Sequence, residues 1–165
     1  MASITVEVLR ADEVAKQLKD VGDALTGSPM EQAMRNAALV VAGAAKELAP
    51  VDTGRLRASI TPAVAREANE VIGVVGSNVE YAPYMEFGTG PAGDPAVPHK
   101  ASHWPPAAAL DVWASRHGMP SGAVVARAIG RRGGLRARRY LRDAFDQNEA
   151  RVRQILEDAV GRMTQ

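Results

Sequence analysis

Asp52, Thr53 and Gly54 spell the triplet that supplies the carboxylates of aspartic proteases, where two such acids share one proton on a buried loop between strands. The neighbouring residues point to another use. An alanine-rich stretch and Pro50 precede the triplet, and Arg55 follows it at once with a counter-charge that a shared-proton pair cannot use. The expectation is an Asx-type turn in which the Asp52 side chain caps backbone amides. His99 and His103 stand four apart with His117 beyond them, a spacing that could hold a metal on one face of a helix. They lie in a Pro-rich stretch with no well-spaced carboxylate, so ordinary loop histidines are expected. No serine occupies a nucleophile elbow. Gly130-Arg131-Arg132-Gly133-Gly134 lacks the preceding strand and the Lys followed by Ser or Thr of a phosphate-binding loop, and reads as a basic turn broken by glycines. These residues assemble no reaction centre; no catalytic residue, cofactor or metal is expected.

Charge and aromatic residues suggest binding instead. Arg127, Arg131, Arg132, Arg136, Arg138, Arg139 and Arg142 fall within sixteen residues that contain no acid. The chain has 20 basic and 19 acidic residues; without these 7 arginines, 13 basic residues face the 19 acids, a balance of −6. A mildly acidic body with one basic strip implies an oriented partner, either an acidic protein surface or a phosphate backbone. Two short helical segments, 107–117 and 121–129, could mimic a helix-turn-helix with the arginines on phosphates, so a DNA-binding regulator or packaging factor using 127–142 is the alternative reading. Upstream, Tyr81, Tyr84 and Phe87 surround Glu86, and Gly88, Thr89 and Gly90 close the segment. The segment either forms a strand end and turn in which the rings cap the core, or its rings serve as interface anchors.

The scaffold for these residues must come from 165 residues, enough for one domain with its own core. The hydrophobic fraction is 46%, but much of it is alanine and only 4% of the chain is aromatic, so the core should be thin and built on close backbone approach. Such a fold gains from neighbours. The absence of cysteine excludes a disulfide framework and fits a reducing cytoplasm. The first residues alternate apolar with polar, unlike a signal peptide. The longest small apolar run, 37–45, is far short of the ~20 residues that cross a bilayer, so a soluble chain with no membrane contact is expected.

Along the chain, residues 3–9 read as a strand, and Val14, Leu18, Val21 and Leu25 recur at helical spacing up to Gly27. Ser28 as cap, Pro29 and Glu31 then start a long helix over 29–48 with a stripe of Ala33, Ala37, Val41, Ala44 and Ala45. Pro50 stops it. From Arg55 the pattern turns to period two, with Leu56, Ala58, Ile60 and Val64 on one face, which predicts a strand over 55–66. A hairpin turn at 67–70 leads to a returning strand up to residue 77, where Gly73 marks a bulge or a close contact. Residues 90–106 read as an exposed Gly/Pro loop, and 107–117 as a short helix burying Leu110 and Trp113. The last helix, 138–163, repeats Leu141, Phe145, Asn148, Val152, Ile155 and Ala159 at three- or four-residue spacing. The fold class is α+β, a small antiparallel sheet packed by two long helices. It forms a single domain over 1–165, with a core of 1–90 and 138–165 and an inserted segment, 91–137.

The stretch APVDTGRLRASI (49–60), then EYAPYMEFGTG (80–90), and more weakly RRYLRDAF (138–145), resemble in wording and order the neck and tail-completion proteins of long-tailed, lambda-like bacteriophages. In that family a long helix ends in proline, a turn with Asp, Thr and Gly follows, and a tyrosine-rich segment ends in Glu, one residue, Gly and Thr. The matching positions are Asp52, Thr53, Gly54, Arg55, Leu56, Tyr81, Ala82, Tyr84, Glu86, Gly88 and Thr89. The resemblance implies a virion protein without a reaction, made in the host cytoplasm. It would form a homo-oligomeric ring, a hexamer or dodecamer, at the head-tail junction, between head-closure or connector proteins and tail-terminator or tail-tube proteins. Transient contact of its basic strip with passing DNA fits the same picture. These eleven residues would then define the fold and its assembly.

Overall fold

The computed structural model describes residues 22, 27–67, 70–97 and 103–163. The expected strand at 3–9 and most of the helix after it lie outside the described residues. Among those described, the order is α1 (Ser28–Leu48), α2 (Arg55–Ser59), β1 (Ile60–Glu67), β2 (Glu70–Ser77), α3 (Ala82–Phe87), a short 3-10 turn (Gly90–Ala92), α4 (Ala107–Arg116), α5 (Gly122–Arg131) and α6 (Tyr140–Met163). The two strands pair in one antiparallel sheet that packs against the long helices, so the α+β expectation stands.

The chain forms two compact units. The first holds the described residues up to Val40, Pro62–Val75 and those from Asn148 onward. Its core is Met30, Ala33 and Ala159, with Val71, Ile155, Leu156, Val160 and Met163 packed around them. Alanine at 33 and 159 lets backbones approach, and the sheet does so at Gly73, where an added Cβ would sit 2.8 Å from the Met34 Sδ. Gly73 is therefore a close contact. Helix α1 starts one residue earlier than its sequence signal suggests: the Gly27 carbonyl accepts the amides of Met30 and Glu31, both at 3.1 Å, in the role expected of Ser28.

The second unit comprises Val41–Thr61 and Gly76–Gln147. Helix α1 ends as Pro50 requires, with the last amide bond from Ala49 to Ala45. The buried stripe of α1 is Met30, Ala33, Ala37, Ala38, Val41, Ala42 and Ala45, with Ala49 buried just beyond its end, whereas Ala44 is only half-buried. The strand expected from Arg55 begins five residues later, after one helical turn. Leu56 and Ile60 are buried and Ala58 is exposed. Residues i and i+4 share a face in both a helix and a strand, so Leu56 and Ile60 cannot distinguish the two. Ala58, between them, does. Gly54 at φ 80° opens this turn, and its carbonyl accepts the Ala58 amide at 2.9 Å.

Helices α4 and α5 pack on one another through Gly122, where a Cβ would meet the Ala107 carbonyl oxygen at 2.1 Å. Asp111 Oδ1 accepts the Gly122 amide at 2.7 Å and so caps α5 from the other helix. One ring expected in the core, that of Trp113, is not core, and the Phe145 position of the α6 seam is not buried either. Trp113 is exposed and stacks on His117, and Phe145 is exposed while Tyr140 and Ala144 are buried on α6 instead.

Candidate functional site

Glu86 is 4% exposed and its carboxylate faces the start of α6. Oε2 accepts the Leu141 amide at 2.8 Å and Oε1 the Arg142 amide at 3.1 Å. A helix begins with amides that have no partner inside it, and its N-terminal end favours negative charge. Glu86 meets both needs from 55 residues away in sequence.

The backbone around it is zipped to the same segment. The Met85 carbonyl accepts the Arg138 amide at 2.8 Å and the Glu86 carbonyl the Arg139 amide at 3.1 Å. The Thr89 amide donates to the Leu135 carbonyl, and the Leu135 amide donates to Thr89 Oγ1, both at 2.9 Å. Such close approach demands glycine. A Cβ on Gly88, at φ 69°, would lie 2.4 Å from the Leu135 oxygen, and one on Gly134, at φ 138°, would lie 1.8 Å from the Thr89 oxygen.

Asp94 completes the corner. Its amide donates to the Phe87 carbonyl at 2.8 Å, its Oδ1 accepts the Ala96 amide at 2.9 Å, and its Oδ2 accepts from Arg142 Nη1 at 2.6 Å. The Ala96 N–H, and then the nearby Arg142 and Arg139 guanidiniums, hold its carboxyl below the usual range. The first part of the expected loop is therefore folded back and bonded rather than open. Asp94 was not among the sequence candidates, although an acid directly before Pro95 in a Gly/Pro stretch is a turn signal.

Tyr140 is fully buried at the start of α6, and its hydroxyl has no hydrogen-bond partner among the described residues. Burial, then the charges of Glu86 and Tyr81, push its pKa up to about 12 from 10.0. Because the folded state keeps the proton longer, its contribution is intact below pH 10 and is lost as pH rises through about 12. Tyr140→Phe is expected to leave neutral-pH stability unchanged or raised by up to ~1 kcal/mol, since it removes an unpaired polar group. Denaturation followed from pH 8 to 12 should show a shallower alkaline loss in the variant; an equal loss would reject this account of Tyr140.

The Asp52 turn does something else. Asp52 Oδ2 lies 2.9 Å from Arg116 Nη2, and Oδ1 lies 3.7 Å from His117 Nε2 at the end of α4. Arg55 is not its counter-ion. Thr53 Oγ1, rather than the Asp52 carboxylate, accepts the Arg55 amide, at 3.4 Å. The exposed Asp52–Arg116 pair contributes well under ~1 kcal/mol. Leu56 is buried and links this turn to the tyrosine segment. Its carbonyl accepts from Ser59 Oγ at 2.8 Å, so Ser77, 2.7 Å from Ser59 Oγ, must donate to it. Ser77 Oγ accepts the Val79 amide at 3.1 Å, and the Val79 carbonyl accepts the Ala82 amide at 2.9 Å.

Ala82 is buried, but Tyr81, Tyr84 and Phe87 are 38%, 52% and 37% exposed, so the rings do not cap the core. Tyr84 stacks on His103 at 6.3 Å between ring centres. His99 lies outside the described residues, among which no group of three His, Cys, Asp or Glu side chains could hold a metal. The GRRGG turn spends amides on capping α5, with Arg132 and Gly134 donating to the Ile129 carbonyl and Gly133 to that of Gly130.

The Asp52 turn and the tyrosine segment as far as Gly88 fall together in one family match. Residues 12–88 match the HK97-gp10-like family. The family is described as "Bacteriophage HK97-gp10, putative tail-component". The resemblance to phage neck and tail-completion proteins is upheld at the level of a bacteriophage tail-component family. No curated protein and no solved structure matches the chain. The HK97-gp10-like match stops at Gly88, in the middle of the corner, whereas the amides that Glu86 caps lie beyond it. No described helix is long and apolar enough to cross a membrane.

Proposed function

We propose that the protein is a structural component of the phage virion that forms a homo-oligomeric ring at the head-tail junction, where it completes the tail or joins it to the head. The HK97-gp10-like match over 12–88 carries the reading. Three exposed rings on or beside α3 support it. Tyr84 and Phe87 stand on a helix whose Glu86 is fixed by two amides of α6, and Tyr81 stands just before it, so large apolar surfaces are presented on rigid backbone. Ordering such rings costs little entropy, and they serve as anchors in subunit interfaces. Sister copies are their proposed partners, closed into a hexamer or dodecamer, with head-closure or connector proteins and tail-terminator or tail-tube proteins above and below. The proposal assigns no reaction.

Deletion of the gene from the phage or prophage is expected to yield heads and tails that do not join, seen by electron microscopy and restored by the wild-type gene. Complementation with Tyr84→Ala/Phe87→Ala should fail while the variant remains folded. Infectious, joined particles from the deletion strain would refute the proposal.

A further inference from the structure

The fold sorts the seven arginines of the basic strip into two sets. Arg142 is tied to Asp94, and Arg139 lies 3.2 Å from Asp143 and 3.8 Å from Asp146. Arg127, Arg131, Arg132, Arg136 and Arg138 are exposed and have no carboxylate partner among the described residues. We infer that these five form a binding patch for the phosphate backbone of duplex DNA, used without regard to base sequence.

Local geometry places the side chains for it. Arg127 and Arg131 are four apart on α5 and share a face, ~6 Å apart along the axis. From Leu135 to Arg139 burial alternates, with Leu135, Ala137 and Arg139 half-buried and Arg136 and Arg138 outward. That alternation holds the two outward guanidiniums on one side, ~6–7 Å apart at the backbone. Arg132 follows α5 at its end and extends the row.

The chemistry suits a phosphate polyanion. All five cations are arginines, whose planar fork matches phosphate oxygens. Trp104, 58% exposed, lies against Gly130 between Arg127 and Arg131, so a ring stands beside the charges. Five arginines without a carboxylate partner suit a phosphate backbone, where binding is driven by release of counterions. The turn amides at 132–134 are spent on α5, so contact falls to the side chains.

The patch is tested on the purified full-length protein, by fluorescence anisotropy with duplexes of two unrelated sequences from 50 to 200 mM salt. Both should bind alike, with log K falling against log salt at a slope of about −4 to −5 for five contacts, a loss of several hundredfold. Arg131→Ala/Arg132→Ala and Arg136→Ala/Arg138→Ala should each flatten the slope by ~2 and weaken binding at 50 mM salt at least tenfold, with melting temperatures unchanged. Absence of binding at 50 mM salt, or an unchanged slope in both variants, would overturn the assignment. So would a change in oligomeric state with DNA affinity intact, which would make the patch a contact between copies. DNA affinity and sedimentation are read separately, so the patch and the ring can fail independently.

Discussion

Glu86→Ala is expected to lower the unfolding free energy by about 3 kcal/mol, through loss of charge-assisted bonds to two amides that then lack a partner. For a chain of this size the melting temperature should fall by roughly 6–12 °C. The cost is not that of an exposed carboxylate: Glu86 is buried, and it caps the Leu141 and Arg142 amides at 2.8 and 3.1 Å. Glu86→Gln keeps one acceptor oxygen but turns an NH2 donor toward an N–H donor, so it should recover only part of the loss. Urea denaturation gives the energies. Amide hydrogen exchange at Leu141 and Arg142 should accelerate in Glu86→Ala before global unfolding, because the first turn of α6 loses its cap. A change below ~0.5 kcal/mol would show that the carboxylate is not what holds this end of α6.

Gly88→Ala and Gly134→Ala should each destabilise by more than ~4 kcal/mol. At Gly134 the new Cβ would lie 1.8 Å from the Thr89 oxygen, and at Gly88 it would meet the Leu135 oxygen and the Ala137 nitrogen at 2.4 and 2.6 Å. All are backbone atoms held by the hydrogen bonds between Thr89 and Leu135, so neither side can yield without breaking them. Positive φ adds strain. Gly43→Ala is the control of opposite sign. Gly43 is inside α1, and a Cβ there meets nothing within 4 Å. Removing helical glycine should stabilise by up to ~1 kcal/mol. Thermal melts of the three variants beside wild type test the contrast, and a folded, wild-type-like Gly134→Ala would contradict the geometry of the corner.

The two long helices and the stop at Pro50 could be read from the chain because their causes are local: apolar residues every three or four positions, and a proline without an amide hydrogen. The strand reading at 55–59 failed at a true ambiguity, since Leu56 and Ile60 satisfy both periods. Trp113 was expected inside, yet Ala114 beside it is the buried position.

At the site, the residue types of the tyrosine segment were legible and their tasks were not. The sequence by itself determined that a Glu, a Gly and a Thr stand in fixed order in a tyrosine-rich segment, and that seven arginines follow with no acid among them, whereas the helix that carries the Glu was not legible. Only the tertiary structure decided that Glu86 caps a helix 55 residues away, that Asp94 takes Arg142, and that five arginines are left facing solvent. Periodicity and turn signals arise from neighbours along the chain. The partner of a buried carboxylate or an arginine is whatever the fold carries within about 3 Å of it, and that distance is unrelated to separation in sequence.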